Sequence, residues 1–460
     1  MKKKNDDPDD ACVKSRRYFF IFHIVKKREP QSGASWREAG VLMNYKKSNY
    51  TIIIPHKGSC GFFNTMSGGF IILDEDCKRR YEEETLSEEE IKILAQNGFL
   101  IDPSVDERNL IDQARNIAVN KRKPYYRILP TTACNAECEY CFEKGYPVKN
   151  MDAHTMKATV DFINRTTEEG DTVKIIWFGG EPFLQKNVTR LLHNSLKNLF
   201  DRKNITGEYQ VITNGSLIDK DFAKEMKDLL EISVCQITLD GYGAAYDEIK
   251  RYKDGKSYFA TVMDNIGFLL DNKIKVSVRM NYNKHNYDGI VRLIEEFHNR
   301  FGTDKNLSLH LAPVWAVGIN YGEMNYSSTG KAEEGFLSLL QLMAKYGYTN
   351  PQKLISVRLN NSVCAAKNIG GFSIMPDGVI VKCCECAKST VGTVFGDSLK
   401  SDIMNDWATT KIEEKCIDCK LLPMCQGGCQ TALHTKNARC KITYDELVKV
   451  ISLYMEHYIP

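Results

Sequence analysis

The 460-residue sequence predicts an α/β protein: a partial (β/α)6 barrel of the TIM type, with a small α+β module before it and a cysteine-rich domain after it. Three observations predict this. Six short apolar stretches from about residue 125 to 320 alternate with segments of helical periodicity, the rhythm of βαβ units and a parallel sheet. Six repeats suit a partial barrel rather than the eight of a full one. Twelve of the sixteen cysteines gather in two places, residues 134–141 and from Cys364 onward.

The N-terminal elements come first. Residues 1–17 mix charges and carry no apolar run, so they read as a disordered tail and not as a signal or transit peptide. The stretch YFFIFHIV is too short to span a bilayer. With a net charge of only +3, the bulk composition points to neither nucleic acid nor membrane, and the expected location is the cytoplasm. Residues 18–110 read as the α+β module. NYTIIIP is β-branched and forms a strand. GFFNTMSGGFIILD turns at Ser67-Gly68-Gly69 into a second strand. TLSEEEIKILAQNGFLI opens on a Ser87 cap with Glu90 three residues on, a capping box, and its helix stops near Gly98.

The barrel is expected over residues 120–330. Its strands are YYRILPTT, TVKIIWFGG, EYQVITNG, SVCQITLDG, KVSVRMNYN and LSLHLAPVW. Glycines and polar residues collect where these strands end, as in Gly179-Gly180-Glu181, Thr213-Asn214-Gly215 and Asp240-Gly241. In a parallel α/β barrel that edge binds ligands. A bridging helix or linker is expected over 331–362, and over 363–460 a loop-rich domain ordered by metal clusters. Disulfides are disfavoured in a reducing compartment, so clustered cysteines there indicate metal or redox chemistry. Cys12, Cys60, Cys77 and Cys235 are scattered and read as ordinary thiols.

The segment TTACNAECEYCFEKG, directly after the first barrel strand, spaces Cys134, Cys138 and Cys141 as C-x3-C-x2-C. A [4Fe–4S] cube has four irons, each wanting an outside ligand. Three cysteines leave one iron open to an external chelate, such as the amino and carboxylate groups of a methionine moiety. A zinc site with a distant fourth ligand is the plainer alternative, but structural zinc usually takes paired C-x2-C arms and histidines.

This triplet, with Tyr140 before its last cysteine, resembles the signature of the radical S-adenosylmethionine (radical SAM) superfamily. The resemblance extends over roughly residues 125–320. Gly179, Gly180, Glu181 and Pro182 resemble the family's GGEP motif, whose backbone holds the SAM amino group. TNG at 213–215, TLDG at 238–241 and RMN at 279–281 resemble its strand-end contacts to ribose and carboxylate. The resemblance thus implies that Cys134, Cys138 and Cys141 are catalytic and metal-binding. It implies cofactor contacts from Tyr140, Gly179, Gly180, Glu181, Pro182, Asn214, Thr238, Asp240, Arg279 and Asn281. Arg251 is a further candidate for the SAM carboxylate.

Near the C-terminus, Cys364-x13-Gly378-x4-Cys383 is followed by Cys416-x2-Cys419-x5-Cys425-x3-Cys429 and, ten residues later, Cys440. This order resembles a SPASM domain, which carries auxiliary clusters in peptide-modifying radical SAM enzymes. The resemblance implies three [4Fe–4S] clusters in all. Cys416, Cys419, Cys425 and Cys440 hold the outer auxiliary one. Cys364, Cys383 and Cys429 supply three ligands of the inner one. Its fourth is Cys384 or Cys386, with Cys386 preferred, or else one iron stays open to a substrate thiol. Zinc knuckles and a ferredoxin-like carrier use similar cysteines, yet neither accounts for the barrel in the same chain.

By the same resemblance, the expected function is a radical SAM maturase that oxidatively modifies a ribosomally made precursor peptide, forming a cysteine thioether. The N-terminal module is similar to a winged-helix element that grips a leader peptide by strand addition. An electron donor such as flavodoxin or ferredoxin is implied. Two rivals stand beside this. A formylglycine-type sulfatase maturase typically carries Asp where Cys384 stands. A non-catalytic iron–sulfur electron-transfer or scaffold protein predicts clusters without SAM cleavage.

Overall fold

The computed structural model describes residues 44–282, 285–313, 330–349, 364–409, 412–431 and 444–458. The expected tail, the first part of the N-terminal module, most of the second half of the bridging segment and Cys440 lie outside the described residues.

The N-terminal module opens with β1 (Lys46–Lys47), β2 (Thr51–His56), β3 (Ser59–Asn64) and β4 (Phe70–Asp74). Helices α1 (Glu75–Glu83) and α2 (Glu88–Gln96), strand β5 (Leu100–Ile101) and helix α3 (Glu107–Asn120) follow. Strands β2, β3 and β4 form an antiparallel sheet, and β1 pairs with β5. The sequence reading expected two strands here, and the sheet has three. The extra hairpin turns at Lys57-Gly58, both at positive φ (37° and 79°). That geometry fits a two-residue hairpin, but Lys-Gly is a weak signal beside Asn-Gly. The Ser87 and Glu90 capping box is present as expected. Helix α3 also runs across the boundary expected at residue 110.

One face of this sheet packs on its own helices through Phe62, Ile71, Leu73, Tyr81, Leu94 and Phe99. The other carries Ile52, Ile54, Phe63 and Phe70 against Leu447, Ile451, Tyr454 and Met455 of the last helix, α12 (Tyr444–Tyr458). Fully burying one such side chain stabilises by about 1.5–3 kcal/mol, so the chain ends are joined through a shared core.

All six expected barrel strands are present: β6 (Tyr125–Ile128), β7 (Thr172–Trp177), β8 (Thr206–Thr213), β9 (Ile232–Thr238), β10 (Lys275–Tyr282) and β11 (Leu307–Pro313). They pair in parallel in sequence order. Helices α4 (Ala153–Thr166), α5 (Lys186–Arg202), α6 (Lys220–Asp228), α7 (Ala244–Lys250), α8 (Phe259–Asp271) and α9 (Tyr287–Phe301) connect them, and α10 (Gly330–Lys345) follows β11. Alternate strand residues such as Ile128, Ile175, Val211, Cys235, Ile237 and Val278 are buried in one core.

The C-terminal segment, expected to be loop-rich with short strands, adds strands to the barrel sheet. Strand β12 (Gly371–Ile374) pairs in parallel with β6, and β13 (Val379–Val381) and β14 (Thr390–Thr393) continue outward antiparallel, giving nine strands in one sheet. An open six-stranded barrel leaves β6 as an edge whose backbone N–H and C=O groups need partners. The hairpin supplies them. Helix α11 (Ser401–Ala408) then buries Trp407 near the cysteines.

Candidate active site

Strand β6 ends at Ile128, and the loop from it to α4 carries Cys134, Cys138 and Cys141, all half-buried. The end of β7 and the end of α7 hold this loop. On one side, Gly180 N donates to Thr131 O at 3.3 Å and Glu181 N to Ala133 O at 2.8 Å. A Cβ on Gly179 would lie 2.3 Å from Thr131 O, and one on Gly180 2.2 Å from Ala133 O. Gly179 also has φ +117°, which side-chain-bearing residues rarely adopt. Glycine is required at both positions for the β7 end to pack against the loop. On the other side, Glu137 N donates to Lys250 O at 3.0 Å and Lys253 N to Asn135 O at 2.9 Å.

Glu181 is fully buried and ties the β7 end to the β8 end. Its carboxylate accepts from Phe183 N at 3.1 Å, Thr213 Oγ1 at 2.8 Å and Asn214 N at 2.8 Å. Burial raises its pKa above the ordinary carboxylate value, against these donors. Pro182, also buried, starts the short turn that follows. Asn214 Nδ2 donates to Asn135 Oδ1 at 2.8 Å, inside the cysteine loop, and Asn135 Nδ2 donates to Ser216 Oγ at 2.9 Å.

A second network sits at the β9 and β10 ends. Asp240 accepts from the Tyr140 hydroxyl, from Asn281 N at 3.2 Å, and forms a buried ion pair with Lys250 Nζ at 2.9 Å. Lys250 Nζ also donates to Tyr140 Oη at 2.9 Å. Burial opposes the lysine charge, but Asp240 and the neighbouring groups hold the ammonium well above the ordinary lysine range. Burial and Asp240 together push the Tyr140 hydroxyl upward. Arg279 Nε donates to Asn281 Oδ1 at 2.9 Å, and Asn286 Nδ2 to Asp240 O at 2.7 Å. Thr238 closes β9 half-buried, beside them.

The structure thus brings Tyr140, Asp240, Arg279 and Asn281 to one edge, and Gly179, Gly180, Glu181 and Asn214 to the adjoining one. Arg251 is exposed, at φ 51°, and pairs with Glu139 of the cysteine loop at 3.4 Å. The sequence reading missed Lys250, Asn135, Ser216 and Asn286. A signal for Lys250 existed, because it lies four residues after Tyr246 on α7, on the same inward face.

The C-terminal cysteines occupy a separate zone. Cys364 is exposed, Cys384 and Cys386 are buried, and Cys383, Cys416, Cys419, Cys425 and Cys429 are half-buried. Cys419 N donates to Cys416 O at 3.3 Å, and the chain turns back at Gln426, Gly427 and Gly428, all at positive φ. Among the described residues no three cysteine, histidine or carboxylate groups converge as ligands of a single metal ion. The donor set of both zones is all thiol, which fits iron–sulfur clusters. Burial pushes the thiols of Cys134 and Cys141 up to about 12 and about 11, so these sulfurs become thiolates at neutral pH only by ligating a metal. Among the described residues no helix is long and apolar enough to cross a membrane.

Comparison with known proteins follows this geometry. Residues 128–300 match the Radical SAM superfamily. An uncharacterized protein of Methanocaldococcus jannaschii is 32% identical over 126 residues, which span 27% of this chain and 41% of that one. A cysteine-type anaerobic sulfatase-maturating enzyme of Clostridium novyi is 24% identical over 324 residues, covering 65% of this chain and 85% of the relative. Among solved structures, native anSMEcpe with bound AdoMet has a TM-score of 0.57 at 18% identity, covering 73% of this chain and 97% of that one. Streptococcus suis SuiB bound to precursor peptide SuiA has a TM-score of 0.53 at 14% identity, covering 85% and 97%. At these identities the structures establish the fold. This chain is therefore an enzyme built around a radical SAM domain at residues 128–300.

Proposed function

We propose that the chain is a peptide maturase: it modifies a ribosomally made precursor peptide oxidatively, forming a thioether from a cysteine sulfur to a carbon. The observation that carries the radical chemistry is the C-x3-C-x2-C loop at the barrel mouth, clamped between the Gly179-Gly180 turn and the Lys250 carbonyl. Cys134, Cys138 and Cys141 would hold a [4Fe–4S] cluster with one iron left for S-adenosylmethionine. When bound, the two supply an electron and a carbon-centred radical that removes a hydrogen atom from the peptide.

The chain's own residues bind and orient. Main-chain groups at Gly179 and Gly180 receive the amino group of SAM. Asn214, Thr238, Asp240, Arg279 and Asn281 receive its ribose and carboxylate. Lys250 keeps Asp240 and Tyr140 fixed from behind, and the apolar barrel core excludes water. Cys416, Cys419, Cys425 and Cys440 would hold an outer auxiliary cluster, and Cys364, Cys383, Cys429 and one more cysteine an inner one. Such clusters would supply an acceptor for the electron that completes the oxidation. The three-stranded sheet of the N-terminal module would take a leader segment, and a flavodoxin or ferredoxin would supply electrons.

Similarity to the Clostridium novyi relative favours a second reading, formylglycine formation on a sulfatase. The position where that branch typically has Asp is Cys384, which accepts a hydrogen bond from Arg127 Nη1 at 3.0 Å.

The test is anaerobic. The reconstituted, dithionite-reduced enzyme is mixed with SAM and either a cysteine-containing precursor or a sulfatase peptide. Our reading expects 5′-deoxyadenosine and a precursor lighter by two hydrogens with no free thiol. An aldehyde on the sulfatase peptide would favour the second reading. No 5′-deoxyadenosine with either peptide would overturn both.

A further inference from the structure

Cys383, Cys384 and Cys386 lie in one tight turn after β13, and they make different contacts. Cys386 N donates to Cys383 O at 3.1 Å, so the two are the ends of a β-turn. Ser389 fixes it: its hydroxyl bonds Cys383 O at 2.9 Å and Cys386 O at 2.6 Å. Cys383 and Cys386 pack together with Ala366 and Trp407. Ala366 is two residues from Cys364. Thr431 Oγ1 contacts Cys383 Sγ at 3.5 Å, two residues from Cys429. Lys367 Nζ donates to Gly428 O at 2.8 Å, drawing the Cys364 segment to the residue before Cys429.

Cys384, the second residue of that turn, makes a different contact. Its sulfur meets Arg127 Nη1 at 3.0 Å, on barrel strand β6. The Arg127 guanidinium lies over Phe178 at 4.9 Å from the ring centroid, and Phe178 stacks on Phe142, the residue after Cys141.

We propose that Cys386, with Cys364, Cys383 and Cys429, completes a four-cysteine inner auxiliary cluster, while Cys384 is no ligand and instead anchors the auxiliary turn to Arg127 of the barrel. This rests on the proposed auxiliary clusters. A cluster closed by four protein thiolates has no iron left for a substrate sulfur, so its part is electron transfer, and the thioether sulfur reacts without bonding to it.

The test uses the full chain, anaerobically loaded with iron and sulfide, in three forms: parent, C384A and C386A. Iron content, Mössbauer spectra and EPR of the reduced protein are read with and without SAM. The expected result is a C384A protein with the parent's iron content and auxiliary signals, and a C386A protein with an altered auxiliary signal and up to about a third of its iron lost, one cluster in three. Perturbation of the barrel cluster's signal by SAM in each form shows that the chain has folded. C384S repeats the test with a smaller change of volume. The proposal is overturned if C384A and C384S alter an auxiliary signal, or if C386A alters none. If SAM perturbs no signal in the parent, the radical SAM assignment of the three-cysteine loop fails instead, a separate outcome.

Discussion

Replacing Lys250 by methionine is expected to unfold the barrel mouth at much lower denaturant. Lys250 and Asp240 are 3% and 1% exposed, and their charges lie 2.9 Å apart. Methionine fills the volume of the lysine stem but leaves the Asp240 carboxylate buried without its counter-ion, and Tyr140 Oη without its donor. Breaking a buried pair from one side costs about 3–5 kcal/mol, because an uncompensated charge remains. At a slope of about 2–3 kcal/mol per molar urea, that moves the midpoint down by about 1–2 M. The assay is urea unfolding of the loaded protein followed by fluorescence, to which Trp177, fully buried on β7, contributes. The double variant K250M/D240L removes both charges and is expected to recover most of the loss, since an apolar pair of similar volume often matches a buried ion pair. A K250M midpoint within about 0.3 M of the parent would refute the reasoning, because water would then be reaching Asp240 as soon as the lysine is gone.

Three further outcomes follow from the same structure. Gly180→Ala places a methyl group 2.2 Å from Ala133 O and is expected to displace the cysteine loop, so the reconstituted variant should lack the SAM-perturbed EPR signal; a full signal would contradict the packing. The Arg80 guanidinium and the Ser87 cap, overcoming burial, lower Glu90 from 4.5 to about 2. A depressed carboxylate stabilises above its unfolded value, so this contribution is complete above about pH 4.5 and is lost as pH falls towards about 2. Glu90→Gln should lower the melting temperature at pH 7 and flatten its decline over that acid window, which thermal unfolding across pH would show. Cys134→Ala, Cys138→Ala and Cys141→Ala should each abolish 5′-deoxyadenosine while leaving iron at the C-terminal cysteines, as iron analysis and product assay together would reveal.

Much of the barrel was legible because its strands read as short runs rich in apolar residues, each closed by glycine or a polar residue. The cysteine loop was legible because ligand spacing is local in sequence. Lys250 was less so: its partners Tyr140 and Asp240 lie 110 and 10 residues away, and a lysine on an amphipathic helix ordinarily faces water. The hairpin of β12 and β13 was invisible for a related reason. Which strand fills the open edge at β6 depends on a pairing across some 245 residues, from Tyr125 to Gly371, and the run GFSI carries no mark of its partner. The Lys57-Gly58 hairpin was missed for local reasons, its turn dipeptide being a weak one.

That hairpin changes how the two cysteine zones are related. A linker-joined domain would let the zones drift, whereas β12 pairs with β6 through Gly371 and Tyr125, Phe372 and Tyr126, Ser373 and Arg127, and Ile374 and Ile128. The same β6 strand presents Arg127 to Cys384 and, seven residues on, delivers Cys134. Seven residues span at most about 25 Å. The path between the zones therefore runs through one strand and the short loop after it, and the strand is held in register on both sides by hydrogen-bonded neighbours. Electron transfer between the proposed clusters would need a short and constant separation more than motion, and a continuous sheet favours both. A flexible hinge between barrel and C-terminal segment would supply neither, and the parallel pairing of β12 with β6 argues against one.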